Sequence, residues 1–258
     1  MDETNGLRLI ELLKKDKEKF RKEHGGYQLL QEYFYGLSKE TLRDLLSYED
    51  KDIKALALWI ISELGKTATD LLGEVVSQMN DDDPIICYYS SEMAAFYGTD
   101  KYMDDFMRVF GFFEHSNAKI RTLSMSIISR LSASRIQEAY TYLVNNKILG
   151  DSHEKGLLSL IHINTLTPSD ITAMITSDDS IIRKYGVIAA RKVYEKYPKI
   201  IKESVNSEDL DVQDFSKTTV QAKAETAQLL NRIRKHKVPN QAKQCPQETQ
   251  DCGSYGNE

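Results

Sequence analysis

A helical pattern that returns about every 33 residues limits this chain more than any other feature of its sequence. From Ile53, apolar residues fall at 0, +3, +4, +7, +8 and +11, through Leu56, Ala57, Ile60, Ile61 and Leu64, and Gly65 follows as a natural helix stop. The aspartate-rich stretch Tyr48-Glu49-Asp50-Lys51-Asp52 precedes it and supplies capping carboxylates. Later segments begin at Ile86, Ile120, Glu154, Ile182 and Val212, after loops rich in Asp, Asn or Ser. The anchors lie 33, 34, 34, 28 and 30 residues apart, and the fourth, Glu154, is the one polar anchor.

A second, shorter helical pattern fills each interval: 38–46, 67–79, 100–113, 134–145, 168–175 and 198–205. Pro168 and Pro198 suit first helical turns, where a missing N–H costs nothing. Val, Thr and Tyr rarely alternate at period two, so strands are not expected. The expectation is an all-α array of helix pairs, each burying its apolar stripe against the next.

Helix pairs of this length, with Asp in the inner loop followed by an apolar residue and then Lys or Arg, resemble the HEAT repeat. Ile53-Lys54, Ile120-Arg121 and Ile182-Arg183 match that dipeptide, and Glu154-Lys155 matches poorly. Asp50, Asp52, Asp81, Asp83, Asp178 and Asp179 stand where such loops carry aspartate, whereas Cys87 and Gln213 replace the basic residue in units two and six. The resemblance covers about 30–235. It implies a right-handed α-solenoid of about six HEAT-like pairs, with residues 1–36 as an N-terminal helical cap and 37–237 as the repeat array. Residues 238–258, rich in Asn, Gln and Gly, read as a disordered polar tail.

Charge is unevenly spread. The total is −5, yet residues 40–114 carry 16 acidic and 6 basic residues, while 8–22 carry 7 basic and 3 acidic ones. An acidic body of this kind suits a basic protein partner and disfavours nucleic acid. Three cysteines, Cys87, Cys245 and Cys252, do not make a disulfide framework. With an acidic N-terminus and no long apolar run, they point to a cytoplasmic protein with no membrane span.

No catalytic constellation emerges. The histidines His24, His115, His153, His162 and His236 lack the i, i+4 spacing of a helical zinc site, and the only His-Glu dipeptide is His153-Glu154. There is no P-loop and no Gly-x-Ser-x-Gly elbow, and Asp81-Asp82-Asp83 lacks the calcium-loop pattern. No metal or cofactor is therefore expected, and the aspartates read as helix caps.

The aromatics are more suggestive. Tyr88, Tyr89, Phe96, Tyr97, Tyr102, Phe106, Phe110, Phe112 and Phe113 crowd units two and three on too many faces for all to be core. In a HEAT-like stack the second helices line the concave side, which makes +2, +5, +6 and +9 from each anchor candidate contact positions. Those positions include Leu58, Trp59, Tyr88, Glu92, Ser126, Lys184 and Arg191, and Arg130 joins them one residue beyond +9. Together with Asp81 and Asp83, the set Trp59, Tyr88, Glu92, Arg130, Lys184 and Arg191 forms the expected partner-binding surface. The function that fits is a non-catalytic protein-binding solenoid, an inhibitor or immunity protein against a basic partner or an assembly adaptor. The alternative is an enzyme on the same scaffold, either a DNA glycosylase using Trp59 with Asp44 or Glu63, or a chromophore lyase.

Overall fold

The computed structural model describes residues 3–236, so the tail expected at 238–258 lies outside the described residues. Among them no strand forms. The helices are α1 (Glu3–Lys15), α2 (Lys17–Lys22), α3 (Gly25–Phe34), α4 (Glu40–Leu46), α5 (Lys51–Leu64), α6 (Leu72–Val76), α7 (Pro84–Tyr97), α8 (Met103–Gly111) and α9 (Ala118–Arg130). They continue with α10 (Ala133–Asn146), α11 (Gly150–Ile161), α12 (Pro168–Ile175), α13 (Ser180–Lys192), α14 (Pro198–Ser204) and α15 (Leu210–His236). Short 3-10 segments at Gly65–Leu71, Asp100–Tyr102 and Phe112–Glu114 break the expected first helices of units two and three. The chain divides into a unit ending at Thr219 and a second starting at Val220. None of the described helices is long and apolar enough to cross a membrane.

Within the first unit the repeat has a chemical basis in its loops. Asp50 accepts hydrogen bonds from the Asp52 and Ile53 amides (3.0 and 3.3 Å). Asp83 does the same for Ile85 and Ile86 (2.8 and 3.3 Å), and Asp179 for Ile181 and Ile182 (2.8 and 3.1 Å). Asp209 caps α15 through Asp211 and Val212 (3.0 and 3.2 Å), and Asn117 caps α9 through Lys119 (2.9 Å). Each cap satisfies amides that a helix start leaves without partners.

A basic ladder joins one unit to another. Lys17 bridges to Asp50 (2.7 Å), Lys51 to Asp81 (3.1 Å), and Arg183 to Asp209 (2.7 Å). Capped helix pairs linked by an aspartate–lysine or aspartate–arginine ladder make this a HEAT-like fold. Behind the ladder, Leu42, Leu45, Ala57, Leu58, Ile60, Ile61, Ile86, Met93, Phe106, Phe110 and Ile128 are fully buried. Their burial drives the stacking of neighbouring pairs.

Two features depart from a simple stack of six. The N-terminal segment does more than cap the array, because α3 packs on α5 and so begins the row of second helices, α3–α5–α7–α9. The fourth unit also leaves that row. Helix α9 packs directly on α13, and α11 packs on α10 and on α13. Arg121 on α9 reaches Asp211 across 90 residues with a two-pronged pair (2.7 and 3.0 Å), and Lys192 on α13 donates to the Leu131 carbonyl that ends α9 (2.8 Å).

The local cause is visible at α11. It starts without a side-chain cap, from Leu149 and Gly150 at positive φ (66° and 72°). Its buried face is His153, Gly156, Leu157 and Leu160. The true anchor of the unit is therefore His153, one position before the expected Glu154. Gly156 lets the Tyr185 ring of α13 press against α11, since a Cβ there would sit 2.0 Å from Tyr185 Cδ2.

Candidate binding face

The sequence-derived candidates divide sharply along the row α3–α5–α7–α9–α13. Trp59 on α5 is half-buried and meets the Tyr27 ring of α3 edge-on, with centroids 5.3 Å apart and planes at 81°. Next along the row, Tyr88 and Tyr89 of α7 pack edge to face at 5.2 Å. Then comes a polar cluster. Arg130 of α9 donates to the Tyr88 hydroxyl (2.9 Å) and pairs with Glu92 (2.6 Å), while Tyr88 donates to Glu92 (3.3 Å). The Arg130 guanidinium also lies 5.1 Å from the Phe96 ring centroid, within cation–π range. Arg191 of α13 follows, 5.3 Å from the Phe215 ring.

The electrostatics agree with this placement. Burial, then the Glu92 carboxylate, pushes the Tyr88 hydroxyl up to about 12. Tyr89 is raised by burial and by the charges of Glu92, Glu63 and Tyr27, so those four side chains share one neighbourhood. Arg191 is lowered by burial and by the nearby positive charge of Arg130. The row thus runs from an aromatic and acidic end to a basic one.

Other candidates serve the fold. Asp81 accepts from the Asp83 amide (2.9 Å) and from Lys51, and Asp83 caps α7. Both stand at the loop edge and not on the row. Lys184, expected as a contact at +2, is only 4% exposed and pairs with the equally buried Asp211 at 3.3 Å. The reason is that α13 packs against both α9 and α11 and that Lys184 meets Asp211, the partner of Arg121 on α9, so the +2 position is interior there. Leu58 is likewise fully buried. Among the described residues no group of three or more His, Cys, Asp or Glu is placed to hold a metal ion. Cys87 is buried, and Cys245 and Cys252 lie outside the described residues.

Tyr27 was not among the sequence-derived candidates, although it is 68% exposed. It sits in the segment expected to be a cap, and only its place after Gly25-Gly26 marks it out. Tyr89, expected in the core at +3, faces the row as well, because Ser90 and Met93 take the buried positions of α7.

No family model matches the chain, and no curated protein matches it in sequence. Among solved structures, an archaeal HEAT-like repeats protein from Thermococcus onnurineus NA1 is similar over 85% of this chain and 98% of that one, at 13% identity and a TM-score of 0.37. An engineered protein is similar over 70% of this chain and 94% of its own, at 14% identity and a TM-score of 0.33. Both superpositions are loose.

Proposed function

We propose that this protein is a non-catalytic protein-binding scaffold that grips a partner along the row of second helices, on the concave side of a right-handed array. The observation that carries this reading is the continuous line of ring and charge from Tyr27 and Trp59 through Tyr88, Glu92 and Arg130 to Arg191. Exposed aromatic and arginine side chains of this kind anchor protein interfaces. The acidic end suits a basic protein, which is the pattern of an inhibitor or immunity protein more than of an adaptor between neutral partners. Nucleic acid is disfavoured because the acidic segment 40–114 adjoins this face.

The test is capture from lysate of the cells that express the chain, followed by mass spectrometry. Wild type is expected to retain one stoichiometric protein that moderate salt releases. A Tyr88→Ala/Arg130→Ala variant should lose it, and Lys199→Glu, at an exposed position on α14, should keep it. Recovery of nucleic acid, or a captured protein indifferent to the row variant, would refute the reading.

A further inference from the structure

A cleft of about 360 Å³ opens at the acidic end of the row, lined by Phe20, Arg21, His24, Gly25, Gly26, Tyr27, Leu56, Trp59 and Tyr89. Its walls come from four helices, α2, α3, α5 and α7. Tyr27 and Trp59 stand at nearly a right angle, and Tyr89 closes the side towards α7. Gly26 keeps the floor open, since a Cβ there would lie 3.3 Å from Leu56 Cδ1 and 3.5 Å from Trp59 Cζ3.

Most charges around the cleft are already paired. Arg21, the one arginine lining it, is already engaged by Asp52 (3.1 Å) and Glu18 (3.2 Å). Glu63 is exposed one helical turn beyond Trp59, whereas Glu92, on the Tyr89 side, is already paired with Arg130 (2.6 Å). Neither carboxylate lines the cavity. The site therefore offers ring faces backed by negative charge and no carboxylate fork.

We propose that this cleft receives an arginine side chain of the protein partner, packed against the Tyr27 and Trp59 rings. A guanidinium is planar and weakly hydrated, so it stacks on aromatic faces at little desolvation cost, and the nearby Glu63 carboxylate favours its charge. A neutral apolar side chain would gain the same rings but nothing from Glu63. The assignment rests on the protein-binding reading and supplies its anchor.

Trp59 is the only tryptophan in the chain, so its fluorescence reports this cleft alone. The experiment titrates the full chain, at constant ionic strength, with N-acetyl-arginine amide and with the matching citrulline compound, which has the same shape without the charge. The arginine compound should give a saturable change, with citrulline about tenfold weaker. Tyr27→Ala should abolish the change, Glu63→Gln should weaken it, and Tyr35→Ala should leave it unaltered. Both Tyr27 and Tyr35 are exposed, so neither variant threatens folding. Equal response to citrulline, or none to arginine, would overturn the proposal. So would a captured partner whose affinity ignores Tyr27→Ala, although the scaffold reading would then survive.

Discussion

Arg121 shows how much of this fold rests on single side chains. Its two-pronged pair with Asp211 joins α9 to the start of α15, and Asp211 is only 6% exposed. Removing the guanidinium leaves a buried carboxylate with Lys184 as its remaining cation. Arg121→Ala should therefore destabilise the protein by about 3 kcal/mol, measured by urea unfolding. His153 gives a second residue-scale prediction. It is 1% exposed, its Nδ1 lies 3.0 Å from the Tyr185 hydroxyl, and its Nε2 has no hydrogen-bond partner. Burial holds its pKa at about 4, against 6.5 for a free imidazole. Between those values the unfolded chain binds a proton that the folded chain refuses, so stability falls as pH drops through that window. The effect is fully absent at pH 7 and reaches at most about 3 kcal/mol by pH 4. A His153→Phe/Tyr185→Phe pair, which removes both polar partners, should flatten the slope between pH 6.5 and 4. An unchanged slope would assign the pH dependence to other groups.

At the scale of elements, the sequence made the regular helices easy to see and the irregular one hard. The capped second helices of units one, two, three, five and six follow from an Asp or Asn placed just before an apolar stripe. Unit four lacked that cap and had a polar anchor, and its spacing dropped to 28 residues. Those were the marks of a helix leaving the row, but periodicity within α11 does not say which neighbour it will choose. That choice depends on Gly156 meeting Tyr185, a contact between residues 29 apart. Gly156→Ala must push the ring or the helix aside and should cost about 2–3 kcal/mol by thermal or urea unfolding. Tyr185→Leu in the same chain should recover part of that loss, so the double variant should be less unstable than the sum of the singles. Strict additivity would mean that the two residues do not share the contact. The residues of the proposed binding face divide in the same uneven way. Trp59, Tyr88, Glu92, Arg130 and Arg191 follow from helical phase alone. Tyr27 and Lys184 do not, because their exposure is set by which helices pack beside α3 and α13.

For the whole molecule, the acidity of segment 40–114 is less available than a count of charges suggests. Lys17 and Arg21 from the N-terminal segment reach Asp50 and Asp52, Lys39 reaches Asp70, and Lys51 engages Asp81 and Asp82. Much of that charge builds the ladder and Glu92 is held by Arg130, which leaves Glu63 as the carboxylate that bears on the aromatic end of the row. Loop aspartates and row residues should accordingly separate in experiment. Asp83→Ala should cost about 1 kcal/mol of stability through the lost α7 cap and leave partner affinity unchanged. Tyr88→Ala should do the reverse, and calorimetry on the purified pair reads both. The most direct test of the central claim is side-chain oxidative footprinting of the chain, free and in its captured complex. Binding along the row predicts that Trp59, Tyr27 and Tyr88 become protected while exposed Tyr35 stays equally reactive. Unchanged labelling of Trp59 and Tyr27, with protection elsewhere, would contradict it.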